Sequence, residues 1–335
     1  MARHYNKRKI ANWTYSAVGV VVALIVIFLV FGHPKEGDEQ KSGQSLEGKW
    51  VTVEETAVPD APEPEPLAEV IGVVPESVSQ ADPEVANLIE QAEALISARP
   101  PRIIEARDRL NEILAMPMSA EQQAYVKERL SQLSGKWLFN RRIYPDDKLC
   151  GSYRVKRGDL LSKIGKGFNV PYQVLARINR IRRPESLRAD EVIKIVKGPF
   201  HARVYRSSFT LDLYLQDTFV RSMPVGLGRE GMETPTGLWQ VKVGSKLVAP
   251  TWTNPMTGKT YEANDPDYPL GSRWIALDGI AGEAKDRTGF AIHGTKDPNE
   301  IGTASSQGCI RVHNGDAIFL FDLLTPALSR VEVVD

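Results

Sequence analysis

A histidine and a cysteine near the end of the 335-residue chain are of the types that together carry out acyl transfer. His293 stands sixteen positions before Cys309, and a thiol becomes a useful nucleophile near neutral pH when a base lies beside it. The same imidazole can then give the proton to a leaving amine. Gly308 permits a close approach of the backbone, so amides near Cys309 could face an oxyanion. Arg311 could hold a substrate carboxylate through two hydrogen bonds.

The residue types alone leave other interpretations open. A lone cysteine is more often a buried structural residue than a nucleophile. His293, Cys309 and His313 could instead bind zinc with one position open, although no carboxylate-rich hydrolase motif accompanies them. Papain-like peptidases place the cysteine before the histidine, and here the order is reversed. Cys150 is interpreted as a partly buried free thiol, with a redox partner as the alternative.

The segment that must position these residues, 199–335, has the pattern of a mainly antiparallel β-domain. Its alternating runs are rich in β-branched and aromatic residues and are separated by turn signals, which predicts paired strands. The runs are 202–207, 210–216, 218–226 and 237–244. Asn314 begins a predicted helix whose first turn holds Asp316, an acid that suits the positive end of the helix dipole.

Residues 203–334 resemble the L,D-transpeptidase catalytic domain of the YkuD type, a family of bacterial cell-wall enzymes. Four motifs of that family occur here in order, and Asn314 follows the last of them at the expected place. They are Glu233-Thr234-Pro235-Thr236-Gly237, Pro269-Leu270-Gly271 with Arg273, His293-Gly294-Thr295, and Ser306-x-Gly308-Cys309-Ile310-Arg311. The chain departs from the family at Gln307, where the family usually has a histidine before the catalytic Gly-Cys pair.

The resemblance implies a role for each matching residue. Cys309 would be the nucleophile and His293 the base, with the backbone carbonyl of Gly294 orienting the imidazole. Amides of Gly308 and Cys309 would form the oxyanion hole, and Arg311 would support the site or the substrate carboxylate. Cys309 would attack the amide after the third residue of a peptidoglycan stem peptide, and an amine of another stem would resolve the thioester. No metal or organic cofactor is implied.

A smaller module precedes the catalytic segment, at 150–198. The pattern of 153–196 is strand, helix, helix, strand, and this small α+β unit resembles the LysM domain, a glycan-binding module of cell-wall proteins. The resemblance is carried by Tyr153, Val155, Gly158, Asp159, Leu161, Ile164, Leu175, Asn179, Leu187 and Ile195. It implies binding to peptidoglycan, and the twelve bases against four acids of 151–197 suit a polymer that bears carboxylates. The alternative is a charged spacer.

The amino-terminal part predicts a membrane anchor at 13–32. Residues 1–12 carry four bases and no acid, and the uncharged run from Trp13 to Phe31 would span roughly 28 Å as a helix. Because the bases precede the run, we expect the amino terminus in the cytoplasm and the catalytic domain in the periplasm, on a single-pass anchor in the inner membrane. A cleaved signal peptide is the alternative, but the end of the run has no A-x-A-type cleavage site.

Two segments separate the anchor from the glycan-binding module. Residues 33–82 are acidic and rich in proline, which predicts a disordered stalk. Residues 83–145 have apolar residues at spacings of three and four, which predicts short helices that make a helical spacer. Ser119 and Gln122 form a predicted capping box for a helix that begins at Ala120.

Basic and acidic side chains number 42 each, which argues against nucleic acid as a partner. We therefore expect a multi-domain chain that forms cell-wall cross-links as an L,D-transpeptidase, with peptidoglycan stems and glycan strands as its partners. Water as the acceptor would make it an L,D-carboxypeptidase instead. The rival class is a non-catalytic cell-wall binding protein, in which Gln307 marks a decayed active site.

Overall fold

A computed structural model of the chain describes residues 82–335. The predicted cytoplasmic segment at 1–12, the predicted anchor at 13–32 and nearly all of the predicted stalk lie outside the described residues. Among residues 82–335, no helix combines the length and the apolar character needed to cross a membrane.

Three helices open the described part of the chain. They are α1 Pro83–Ser97, α2 Ile103–Leu114 and α3 Ala120–Trp137. The Asp82 side chain caps α1 by accepting the amide of Glu84 at 2.9 Å. The capping box at α3 forms as predicted, since Ser119 and Gln122 each accept the other's backbone amide at 3.2 Å. These caps satisfy amides that the first turn of a helix otherwise leaves without partners.

The next module has the predicted order of strand, helix, helix and strand. The elements are β1 Cys150–Arg154, α4 Leu161–Gly167, α5 Tyr172–Asn179 and β2 Val192–Val196, and the two strands pair antiparallel. Asn179 is buried and joins α5 to β2, because its amide group exchanges hydrogen bonds of 2.8 Å with the backbone N–H and C=O of Lys194. The Asn179 side chain thus adds hydrogen bonds that link the helix to the strand.

The rest of the chain is built on an eight-stranded sheet. The strands of this sheet are β3 Phe200–Tyr205, β4 Thr210–Leu215, β5 Thr218–Pro224, β7 Gly237–Val248, β10 Arg273–Ala281, β11 Phe290–His293, β13 Ile310–Arg311 and β14 Arg330–Val334. They lie in the order β13, β11, β10, β7, β14, β3, β4, β5. All neighbours pair antiparallel except β11 with β13 and β14 with β3.

Four short strands and one helix complete this domain. The short strands are β6 Leu227–Gly228, β8 Trp252–Thr253, β9 Thr260–Tyr261 and β12 Ala304–Ser306, and the helix is α6 Asn314–Leu323. The helix begins at Asn314, where the sequence predicts it. The domain is β-rich and mainly antiparallel, as the alternating runs predict.

The amino-terminal helices pack against edge strand β5 and its neighbour β4. Asn111 of α2 accepts the backbone amide of Phe219 at 2.8 Å. Lys127 of α3 pairs with the fully buried carboxylate of Asp212 at 2.7 Å. Covering an edge strand in this way blocks its unpaired backbone groups from other chains.

A buried lysine joins the same helices to the strand–helix–helix–strand module. Lys194 is 1% exposed and its ammonium donates to the carbonyls of Trp137 and Arg142. Burial lowers the pKa of this lysine. Nearby, Arg107 forms a buried ion pair with Asp147 at 2.8 Å. The helices therefore contact both domains that follow them in the chain.

Candidate active site

The sheet places His293 and Arg311, which belong to two different motifs, side by side. His293 ends β11 and lies opposite Arg311 in the parallel pairing with β13. Cys309 immediately precedes β13, so the same parallel register places it beside Ala291, two positions before His293 on β11. On its other side His293 lies opposite Trp274 of β10. Their rings stack at 5.5 Å between centroids and 19° between planes, which restrains the rotation of the imidazole.

The imidazole of His293 has one nitrogen committed to the backbone. Its Nδ1 lies 2.6 Å from the carbonyl oxygen of Gly294. Because a carbonyl only accepts, Nδ1 carries the proton, and Nε2 keeps its lone pair in the neutral ring. Burial lowers the pKa of His293 to about 4, and the charge of Arg311 acts in the same direction. The ring is therefore neutral at physiological pH.

Cys309 is half-buried, and its Sγ lies 3.9 Å from the carbonyl oxygen of Gly289. Burial raises the pKa of its thiol to about 11, although the charge of Arg311 opposes this shift. From the sequence we expect a neighbouring base to prepare the thiol. The shifts instead indicate a resting pair of neutral thiol and neutral imidazole, because burial disfavours the charged form of both.

The loop before Cys309 depends on a glycine. Gly308 has φ +106°, a conformation that side chains rarely adopt, and a Cβ there would lie 2.7 Å from the Phe290 ring. Its carbonyl accepts from the Thr234 hydroxyl at 2.9 Å. Its amide donates to Ser306 Oγ at 3.0 Å. In this structure, then, one of the two amides predicted to face an oxyanion already has an acceptor.

Arg311 is held by a carboxylate that no motif indicated. Its Nη1 lies 2.6 Å from Glu300 Oε1 and 3.3 Å from Ser305 Oγ. The other carboxylate oxygen of Glu300 accepts from the Thr295 hydroxyl at 2.6 Å. The network ties β13 to the turn after His293. Glu300 lies between two motifs and carries no spacing signal of its own, so the sequence does not indicate its role.

Asn314 holds two of the motif loops together. Its Oδ1 accepts the amide of Ser272 at 3.1 Å, and its Nδ2 donates to the carbonyl of Thr295 at 2.9 Å. A Cβ on Gly271 or Gly294 would lie 2.1 Å from the same Oδ1. The two motif glycines are thus required by the close approach of this side chain. Glycine at both positions allows the loop of Gly294 to contact the start of α6. The carbonyl of Gly294 in this loop is the group that contacts His293.

A cavity of about 180 Å³ opens at these residues. Trp252 and Tyr261 line one part of it, with rings 6.0 Å apart and nearly parallel. Its wall includes Trp252, Asn254, Pro255, Tyr261, Pro269, Leu270, Trp274, Gly289, His293, Ser306, Gln307, Cys309 and Arg311. Gln307 is exposed and also lines a neighbouring groove of about 660 Å³. The cavity combines aromatic walls, a thiol, a base and a guanidinium.

The described residues do not offer a metal site. Within 82–335, no three His, Cys, Asp or Glu side chains lie close enough together to hold an ion. His313, the third ligand of the zinc alternative, is exposed at the start of α6. Cys150 is a buried free thiol in β1 whose pKa burial raises to about 12. It lies in the strand–helix–helix–strand module and does not line the cavity of Cys309.

Comparison with known proteins identifies both modules. The model of the YkuD L,D-transpeptidase catalytic domain matches residues 199–333, and the LysM domain model matches residues 153–196. YkuD of Bacillus subtilis (strain 168) is 28% identical over 189 residues, which cover 54% of this chain and 98% of that protein. ErfK/SrfK of Escherichia coli (strain K12) is 31% identical over 187 residues, which cover 52% of this chain and 51% of that protein. Both relatives are named as L,D-transpeptidases.

The fold, the ordered motifs and these matches confirm both resemblances found in the sequence. The chain therefore carries a catalytic domain of the YkuD L,D-transpeptidase family, preceded by a LysM domain.

Proposed function

We propose that the protein is a peptidoglycan L,D-transpeptidase that works through a thioester on Cys309. The observation that carries the proposal is the shared cavity of Cys309 and His293, with Nδ1 of the histidine committed to Gly294 and Nε2 left as the base. Cysteine nucleophiles paired with such a base carry out acyl transfer without a metal.

The first half-reaction follows from this arrangement. As Sγ of Cys309 attacks the amide carbonyl after the third residue of a stem peptide, Nε2 of His293 takes the thiol proton. The carbonyl oxygen becomes an oxyanion, and the amide of Cys309 is the donor we assign to it, since Ser306 accepts the amide of Gly308. The C–N bond then breaks, and the imidazolium gives the proton to the leaving amine. The product is a thioester on Cys309 and a free terminal D-amino acid.

The second half-reaction returns the enzyme to its resting state. The amine of another stem attacks the thioester carbon and loses a proton to Nε2 of His293. The C–S bond breaks, and the proton passes to Sγ of Cys309 as the thiol re-forms. Both resting groups are then neutral again, in keeping with the pKa shifts that burial causes. With water as the nucleophile, the same steps give an L,D-carboxypeptidase.

Arg311 has a supporting role in this proposal. Its Nη1 is engaged by Glu300, so the guanidinium holds the loop of Cys309 in register with β11. It also places a positive charge at the wall of the cavity, where it favours the oxyanion and a substrate carboxylate. The LysM domain is proposed to bind the glycan strand whose stems react.

The products of a single incubation test the function. We expect the wild-type chain, given a tetrapeptide stem and an amine-bearing acceptor stem, to release the terminal D-amino acid and to form a cross-linked dimer. Mass spectrometry measures both products. A tripeptide without dimer would assign the carboxypeptidase activity. A folded protein that releases nothing would favour the binding-protein alternative and make Gln307 the first position to change to histidine.

We also propose that the catalytic domain lies in the periplasm, on an inner-membrane anchor at 13–32. The support is the basic segment 1–12 followed by an uncharged run of sufficient length. A reporter enzyme fused after Asp335 should be active if it is of a kind that works only in the periplasm. A reporter that works only in the cytoplasm should be inactive at the same position. Recovery of a mature protein that lacks residues 1–32 would contradict the anchor and favour a cleaved signal peptide.

A further inference from the structure

A second groove, of about 590 Å³, lies between the LysM domain and the catalytic domain. It is formed by α5 and the turn that follows it, with the end of α6 opposite. None of the described residues lines both this groove and the cavity of Cys309. Its polar lining residues are Tyr172, Gln173, Arg177, Arg180, Arg182 and Asp322. We call it the arginine groove.

Positively charged side chains outnumber negatively charged ones in the arginine groove. Arg177 is paired with Asp322 at 2.6 Å and lies 5.8 Å from the Phe319 ring, so it helps to dock the two domains. Arg180 and Arg182 are exposed, and neither forms an ion pair within residues 82–335. Two guanidinium groups are therefore available, and each matches a carboxylate through parallel hydrogen bonds.

The backbone presents these two arginines on a fixed turn. Arg180 ends α5 in the left-handed conformation, with φ 56° and ψ 37°, and its amide donates to the carbonyls of Ala176 and Arg177. A hydrogen bond also joins the LysM domain to the catalytic domain, because the Thr325 hydroxyl donates to the carbonyl of Asn169 at 3.1 Å. A site held in this way loses less conformational entropy when a ligand binds.

Helix α6 connects the arginine groove to the loop that follows His293. Asn314, its first residue, contacts Thr295 beside the catalytic loops, and Asp322 lies eight positions further on. Eight residues of helix span about 12 Å. A four-residue peptide spans roughly 13–14 Å when extended. The rise along α6 between Asn314 and Asp322 is therefore close to the length of one extended stem.

We propose that the arginine groove binds stem-peptide carboxylates of a peptidoglycan strand held by the LysM domain, and so places a neighbouring stem at Cys309. This rests on the proposed function. Peptidoglycan fits the groove because its stems repeat carboxylates along one polymer, whereas an uncharged glycan would gain nothing from Arg180 and Arg182.

The test compares two double variants of the full chain, purified in mild detergent. Arg180→Gln with Arg182→Gln removes the free charges of the groove. Lys163→Gln with Lys166→Gln removes the same charge from the exposed face of α4 and serves as the control. Sedimentation with intact sacculi measures affinity at low and high ionic strength. We expect the arginine variant to lose about fivefold or more at low salt, and the control less than about twofold.

A second substrate identifies the ligand. In sacculi whose carboxylates have been converted to methylamides, wild type and the arginine variant should bind equally. An arginine effect that persists there, or an equal loss in the lysine control, would overturn the proposal. So would an arginine effect seen only with vesicles of anionic lipid, because it would assign the groove to a membrane surface.

Acylation of Cys309 by a short soluble stem peptide separates this proposal from the catalytic one. The arginine variant should react with that peptide at the wild-type rate, because a short stem does not need the groove. If wild type binds sacculi through the groove but never forms a thioester, the groove stands and the transpeptidase proposal fails. If the thioester forms and the arginine change leaves binding to sacculi unaltered, the groove proposal fails alone.

Discussion

Replacement of Cys309 by alanine should abolish acylation completely. No other side chain that lines the cavity is a nucleophile able to form a thioester, and Ser306 Oγ is already engaged by donating to the carbonyl of Cys309 at 2.7 Å. Mass spectrometry after a single turnover with a stem peptide should show one acyl group on the wild-type chain and none on Cys309→Ala. A carbapenem, which the family resemblance implies as an acylating inhibitor, should give the same contrast.

Cys150→Ala is the matched control for this experiment. Cys150 is the other cysteine of the chain, a buried thiol in the LysM domain whose pKa is raised by burial. This variant should therefore acylate at the wild-type rate. Circular dichroism of both variants confirms that the fold is retained. Release of the terminal D-amino acid by a folded Cys309→Ala would refute the thioester mechanism, and loss of that activity with a chelator would point to a metal.

The catalytic motifs could be predicted from the sequence because each one is local. His293-Gly294-Thr295 and the segment that ends at Arg311 are contiguous runs, and the strand and helix signals around them are periodic. What the sequence could not supply is the pairing between them. The register that sets His293 opposite Arg311 is a parallel contact across a long connection, and nothing in the local pattern specifies it.

The residues that support the site through long-range contacts also could not be predicted from the sequence. Glu300 holds Arg311 and Thr295, yet in the sequence it is one acid in a polar loop. The sequence of 83–145 predicts only a helical spacer, because amphipathic spacing indicates that one helix face is buried but not which part of the protein covers it. Its contacts with the catalytic sheet depend on single long-range pairs, such as Lys127 with Asp212.

Replacement of His293 by alanine should slow acylation by about 10²–10⁴-fold, the usual contribution of a general base. The resting thiol is neutral, so attack requires that its proton be removed in the same step, and His293 Nε2 is the base that lines the cavity. His313→Ala is the control, because that imidazole is exposed and outside the cavity. It should leave the rate within about twofold of wild type.

The pH dependence separates this role from a merely structural one. Because the pKa of His293 is lowered to about 4, wild-type acylation should stay level near neutrality and fall as the imidazole is protonated below about pH 5. His293→Ala should lose that acid limb. Thiolate absorbance, measured in a Cys150→Ala background so that Cys309 is the only thiol, should appear only at alkaline pH, since burial raises the pKa of Cys309 to about 11. Thiolate already present at pH 6 in wild type and absent in His293→Ala would contradict this mechanism, because it would show a preformed thiolate–imidazolium pair in place of proton transfer during the attack.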